Sequence, residues 1–171
     1  GAGLGVVEGY GEQRERQRGG GRRRQMYRRD RMREGLQSSY AYLAMSARFE
    51  ARKLPGAANW MRNQAQEEVM HAMKFFDFLI RRGATPQLQA IEAPDVQFKS
   101  ILEAFEQALA AEQHITTCIH DLYDLAQKER DYPLQTLLHW FIDEQVEEEE
   151  AAEGIIDSIR LAGESGEAMF M

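Results

Sequence analysis

Two pairs of polar side chains have the spacing of one helical turn and could share a metal ion. Glu68 and His71 are three residues apart in QEEVMH, and Gln145 and Glu148 are three apart in DEQVEEE. Residues three apart lie on the same side of a helix, so each pair can point at one spot. A further carboxylate, Glu112, lies in AAEQ. Carboxylate oxygens with one imidazole nitrogen suit iron or manganese, and suit zinc less well without thiolates.

Each of these positions interrupts an apolar stripe with the period of a buried helix face. An isolated buried carboxylate is costly and would normally be protonated. A shared metal ion would supply the positive charge that these carboxylates lack, so the sequence predicts a metal site inside a helical bundle. The stripes are Met61, Ala65, Glu68, Ala72, Phe75 and Leu79; Ile101, Phe105, Ala108, Glu112, Ile115, Ile119 and Leu122; and Leu134, Leu138, Phe141, Gln145, Glu148, Ala152, Ile155 and Ile159.

Simpler explanations exist for any one of these residues. A single glutamate can lie at the edge of a stripe, and a single histidine can be an ordinary core or surface residue. All three stripes break at compatible heights, which favours the metal site. The simple explanation stands for His114, His120 and His139, and Cys118 is expected to be a small buried hydrophobic residue.

The acidic residues around Gln145 are by default a solvated helix face. Glu144 and Glu147 lie on turns adjacent to Glu148, and Glu67 adjoins Glu68. Glu67, Glu144 and Glu147 could therefore form a secondary cation site beside the main one, and the spacing leaves both interpretations open.

Four long helical segments would position these side chains. The connections at Leu54-Pro55-Gly56 and Asp131-Tyr132-Pro133 are short, whereas residues 84–97, with Pro86 and Pro94, form a long one. A long connection can span a bundle and lets the second and third helices run parallel. The fold is therefore predicted to be an all-α four-helix bundle with one long crossover between helices 2 and 3. The predicted helices cover about Gln25–Lys53, Ala57–Arg82 (ended by Gly83), Phe98–Arg130 and Leu134–Leu161 (closed by Gly163).

The charge distribution and the apolar content of the chain limit the kinds of function it can have. The net charge is −7, and it is uneven: residues 1–36 carry ten Arg against five Asp and Glu, whereas the remainder holds 11 basic and 23 acidic residues. The acidic part argues against nucleic acid and for cations as partners. No run approaches the roughly 20 apolar residues of a membrane span, and no signal peptide is recognisable. Together with the single cysteine, these features predict that the protein is located in the reducing cytoplasm.

The sequence resembles the bacterial and archaeal non-haem ferritins from about Leu36 onward. The matching segments are SSYAYLAMSARFE, NWMRNQAQEEVMHAMKFFDFLIRRG, LAAEQHITTCI, DYPLQTLLHWFIDEQVEEEE and LAGESGEAMF. One long crossover is also the ferritin-like arrangement of a four-helix bundle. The resemblance implies an iron-storage protein that binds two Fe(II) in the bundle and oxidises them to Fe(III) with oxygen or hydrogen peroxide. It also implies a homo-oligomeric cage of 24 subunits that holds the mineral.

The resemblance assigns roles to individual residues. Glu68 and His71 match iron ligands, with Glu68 bridging the two ions, and Glu112 matches a ligand of the second iron. Gln145 lies over the site in the family. The residues that match an additional iron site are Glu67, Glu144, Glu147 and Glu148. Those that match aromatic candidates for electron donation to oxygen are Tyr42 and Trp140.

The chain departs from the family in two places. The family has a glutamate ligand of the first iron seven residues before the tyrosine, where this chain has Gly35; the neighbouring Glu34 is expected to point about 100° away. The family also continues past a segment like GEAMFM into a fifth helix, and contacts at the four-fold axis are expected to be missing here. We divide the chain into a flexible Gly/Arg-rich segment, 1–24, and a ferritin-like bundle, 25–171, that lacks most of the fifth helix.

Three alternative functions follow from these features. Because of Gly35, the chain could be a shell subunit whose oxidation site is not competent. The Arg-rich N-terminus would suit a DNA-binding mini-ferritin. That family places its iron between subunits, whereas this chain has ligand candidates inside its own bundle. A rubrerythrin-type peroxidase would repeat Glu-x-x-His, whereas Gln145 is followed three residues later by Glu148.

Overall fold

The computed structural model describes residues 31–163, which form four α-helices without a strand. The first helix, α1, covers residues 31–51 of that range. The predicted flexible segment 1–24, the predicted start of the first helix and the region expected to lack a fifth helix lie outside it. No helix in the described part is long and apolar enough to cross a membrane. The other helices are α2 (Pro55–Arg81), α3 (Ile101–Lys128) and α4 (Tyr132–Ala162).

Helices α2 and α4 begin two residues earlier than predicted, and α3 begins three residues later. Pro55 and Pro133 stand in first helical turns, where a proline costs no hydrogen bond. Asp131 caps α4 by accepting from the Leu134 N–H at 3.3 Å. Ser100 caps α3, accepting from the Glu103 N–H at 3.1 Å, so Phe98 precedes the helix. Helices α2 and α4 end just before Gly83 and Gly163, as predicted, and these glycines have positive φ angles of 72° and 62°.

Two apolar clusters fill the bundle, one toward each end. The first cluster contains Phe49 of α1, Met61 of α2 and Phe105 of α3, and the second contains Phe75 of α2 and Leu138 of α4. On both α2 and α3, the first cluster lies N-terminal to the second. The two helices are therefore parallel, and the predicted crossover fold is confirmed.

The crossover, residues 82–100, is fastened to α1. The Gln37 side chain donates to the Glu92 carbonyl at 3.1 Å and accepts from the Glu92 N–H at 3.0 Å. Farther along, Arg52 donates to the Phe98 carbonyl at 2.9 Å. These bonds hold the long connection along the bundle, where it can link the far ends of two parallel helices.

The predicted stripes are buried with two exceptions. Ile115 and Ile155 are only half-buried, and Ile156 is 3% exposed. In the fourth-helix stripe, Ile156 therefore takes the buried position predicted for Ile155, whereas the next predicted member, Ile159, is buried. Cys118 is half-buried rather than buried.

Candidate metal centre

A layer of polar side chains separates the two apolar clusters at mid-bundle. Its five members come from three helices and are at most 7% exposed, although four of them are ionisable and the fifth is an amide. Groups of this kind are rarely buried unless they are paired or bind a metal. The structure therefore brings the predicted core residues into one layer. They are Glu68 and His71 of α2, Glu112 of α3, and Gln145 and Glu148 of α4.

Glu112 is held by two neutral donors. The Tyr42 hydroxyl donates to Glu112 Oε1 at 2.5 Å, and Gln145 Nε2 donates to Glu112 Oε2 at 3.2 Å. Burial, and then the charge of Glu68, raise the pKa of Glu112 to about 7, although both hydrogen bonds oppose the rise. A cation bound here would displace the proton that this carboxyl otherwise binds below about pH 7.

Thr116 is a member of the site that the sequence did not reveal. Its hydroxyl accepts from Gln145 Nε2 at 3.2 Å and donates to Glu149 Oε1 at 2.5 Å. Thr116 lies four residues after Glu112, so it occupies the next turn of the same helix face. This spacing is the only feature of the sequence that could have indicated Thr116, but threonines are common beside apolar stripes and carry no specific signal. Its contacts fix the amide of Gln145 with the NH₂ group toward α3.

His71 lies between two carboxylates. Its Nδ1 is 3.5 Å from Glu68 Oε1, and its Nε2 is 3.7 Å from Glu144 Oε1. Burial lowers the pKa of His71, but the hydrogen bond and charge of Glu68 and the charges of Glu148 and Glu144 outweigh it, so the pKa is raised. Both ring nitrogens therefore face acidic oxygens, which is the arrangement a shared cation would exploit.

Three residues can offer donor atoms that all lie within 4.8 Å of one another: His71, Glu144 and Glu148. Burial, and then the charges of Glu112 and Glu67, raise the pKa of Glu148 to about 8. This grouping joins a predicted ligand of the central pair with two predicted members of the additional site. The two predicted groups of ligands thus meet at His71.

The remaining acidic candidates lie toward the surface. Glu67 is half-buried, and its Oε2 accepts from Gln64 Nε2 at 2.5 Å. Glu147 is exposed and is not in the three-residue group. Of the residues predicted for the secondary site, Glu144 and Glu148 thus lie within mutual reach, and the charge of Glu67 raises the Glu148 pKa.

The two aromatic candidates flank the layer on different sides. Tyr42 is 3% exposed, its ring meets Trp60 edge-on at 6.2 Å, and burial, followed by Glu112, raises its pKa well above the usual value. Trp140 is half-buried, with its ring 5.5 Å from that of His71. The Lys74 ammonium lies 4.0 Å from the Trp140 ring centroid. Tyr42 thus contacts the Glu112 side and Trp140 the His71 side.

The α1 side of the layer has no carboxylate at position 35. A Cβ atom added to Gly35 would lie 3.2 Å from Ala72 Cβ and 3.3 Å from the Glu68 carbonyl oxygen, so α1 and α2 are in tight contact there. Glu34 was expected to point away, but it lines a cavity of about 20 Å³ together with Gly35, Glu68 and His71. Arg31 lines the same cavity and pairs with Glu34.

The raised carboxyl pKa values predict how stability depends on pH. Glu112 and Glu148 bind protons more tightly in the folded metal-free protein than in the unfolded chain, where the pKa is 4.5. The free energy of unfolding should therefore fall as pH rises from about 4.5 to 8. Urea unfolding of metal-free protein across that range measures this. Glu148→Gln should flatten part of the fall; an unchanged slope in that variant would contradict the prediction.

The fold and this layer define a class: four-helix proteins that hold metal ions among inward-facing carboxylates and a histidine. Residues 29–162 match the family model described as a ferritin-like domain. The chain belongs to the ferritin family of iron-storage proteins, since the match covers more than half of its length.

Similar proteins agree with that assignment. The chain is 38% identical to the bacterial non-heme ferritin of Staphylococcus haemolyticus over 142 residues, 83% of this chain and 86% of that protein. The Staphylococcus saprophyticus ferritin is 39% identical over 83% and 85%. Crystal structures of an open pore ferritin from the archaeon Archaeoglobus fulgidus match with a TM-score of 0.84 and 39% identity, covering 86% of this chain and 91% of that one.

Proposed function

We propose that this chain oxidises Fe(II) to Fe(III) at a di-iron ferroxidase centre in the polar layer, and that the product is stored as mineral inside a shell of identical subunits. The observation that carries the proposal is the buried layer itself. Three carboxylates and a histidine converge at mid-bundle, where their burial is costly without a cation. Because the donors are hard oxygens with one imidazole, their chemistry fits iron.

The donor atoms divide between two iron positions. Glu68 lies beside His71 and raises the pKa of Glu112 by its charge, so it is placed to bridge both positions. Glu112 serves the second, with Gln145 beside it. An additional iron position would use the acidic residues toward the surface. Its ligands would be Glu67, Glu144, Glu147 and Glu148.

Anionic ligands make the oxidation easier. Fe(III) gains more than Fe(II) from carboxylate oxygens, because its charge is higher. Two Fe(II) give two electrons to O₂, which takes up two protons and becomes hydrogen peroxide; if peroxide is the oxidant, two electrons and two protons convert it to two water molecules. Tyr42 contacts Glu112 and Trp140 contacts His71, so either could give a further electron.

The competing proposal is a shell subunit that does not oxidise iron, and Gly35 is the feature that favours it. The test is the rate of Fe(III) formation in air, measured for the parent, for Gly35→Glu and for protein-free buffer. We expect the parent to exceed the buffer rate clearly. Gly35→Glu should gain no more than a few-fold, because its Cβ must displace Ala72 or the Glu68 backbone by a few tenths of an ångström. A parent rate equal to that of the buffer would support the competing proposal.

The proposed shell has 24 copies, as in the family that the sequence resembles, and we place it in the cytoplasm. Large exposed apolar side chains on the α1–α2 surface and the crossover support association between copies. Native mass spectrometry tests the shell, and a monomer of 19.6 kDa would contradict it. The exposed residues are Tyr40, Leu43, Met70, Met73 and Leu88.

A further inference from the structure

A buried guanidinium group faces the polar layer from α1. The Arg31 side chain is only 9% exposed, and it forms an ion pair with Glu34 through Nη2. Its Nε and Nη1 atoms are also buried, and within the described residues they have no hydrogen-bond partner. Arg31 lines the same cavity of about 20 Å³ as Glu68 and His71, with room for about one water molecule. Two unsatisfied donors and a permanent positive charge thus adjoin the metal-binding layer.

A fixed cation at this place changes what the layer can bind. Arginine remains protonated at every accessible pH, so it keeps its charge as the carboxyls titrate. Its charge pairs with that of Glu34 and borders the cavity that Glu68 also lines, so it repels a divalent cation from that cavity. The small cavity leaves no room for a hydrated ion beside it.

The α1 helix also lacks the donor that would hold a metal here. Gly35 has no side chain, and the tight contact with Ala72 limits what could be added. The donor atoms within mutual reach come instead from α2 and α4: His71, Glu144 and Glu148. None of the three lies on α1.

We propose that the Arg31 guanidinium takes the place of a metal ion on the α1 side of the layer. The first iron, beside His71 and Glu68, then lies toward the α2–α4 side, where it shares Glu144 and Glu148 with the additional position. The inference deepens the proposed function and rests on it only for the identity of the natural metal. It predicts that removing the guanidinium opens an extra metal position, with Glu34 and Glu68 as its carboxylate donors.

The test is to count the tight Co(II) sites per chain by isothermal titration calorimetry, with a competing chelator present. Arg31→Met should bind about one more Co(II) per chain than the parent. Arg33→Met is the matched control, because Arg33 is exposed on the same helix, and it should keep the parent count. Adding Glu34→Gln to Arg31→Met should abolish the gain. Arg31→Gln, which keeps a polar side chain, provides a second reading if the Met variant does not fold.

Equal counts in the parent, Arg31→Met and Arg31→Gln would overturn the proposal. The proposal would also be overturned if Glu144→Gln bound as many Co(II) ions as the parent, since that change should remove the ion shared with His71. Counting Co(II) needs no oxidation, so it is separate from the ferroxidase proposal. A parent that fails to oxidise Fe(II) while Arg31→Met gains an ion would reject only the proposed function.

Discussion

Replacing Glu68 by glutamine is expected to slow Fe(II) oxidation by about 100-fold or more. Glu68 is 3% exposed, contacts His71 at 3.5 Å and acts by its charge on Glu112. It is therefore the carboxylate that would connect the two proposed iron positions. An amide has nearly the same shape but no charge, so it cannot offset two cations. Stopped-flow absorbance of Fe(III) formation, at about two Fe(II) per chain, gives the initial rate.

The matched control is Glu67→Gln, the same change one residue away on α2. Glu67 is half-buried and accepts a hydrogen bond from Gln64, away from His71. Its loss should slow the reaction far less, because it acts on the layer mainly through the pKa of Glu148. Equal rates for the parent and Glu68→Gln would contradict the assignment of Glu68 to both positions.

Replacing Phe105 by alanine is expected to lower the free energy of unfolding by about 3–5 kcal/mol. Phe105 is fully buried, with its ring 4.9 Å from that of Trp60 and 6.4 Å from that of Phe49. The substitution leaves a cavity in the apolar cluster below Tyr42, whose ring packs on Trp60. Urea unfolding at fixed protein concentration measures the loss.

Leu161→Ala is the control for that stability measurement, because Leu161 is 90% exposed in the structure. Its effect should be within about 0.5 kcal/mol. A loss below about 1 kcal/mol for Phe105→Ala would mean that the cluster repacks freely and does not hold Tyr42 in place. Comparable losses in both variants would also contradict the packing account.

The sequence predicted the fold and most of the polar layer for a physical reason. A buried helix face repeats every 3.6 residues, so Glu68, Glu112 and Gln145 stood out as polar members of otherwise apolar stripes. The long connection between helices 2 and 3 then predicted that these two helices run parallel. Helix starts were less predictable, because Ser100 and the prolines at 55 and 133 act through local cap and first-turn geometry.

The parts of the site that sequence reasoning missed depend on contacts between helices. Thr116 joins the layer only because α4 brings Gln145 within 3.2 Å of it. Arg31 and Glu34 reach the cavity because α1 packs tightly on α2 at Gly35 and Ala72. A pattern along one helix cannot reveal how closely its neighbour approaches, so neither contact was predictable from spacing.

A crystal soaked anaerobically with Fe(II) would show whether iron binds within the buried layer. Anomalous difference density at the iron edge locates the metal without relying on activity. We predict density within about 2.0–2.5 Å of donor atoms from His71, Glu68 and Glu112. Density confined to exposed carboxylates such as Glu147, with none in the layer, would contradict the account.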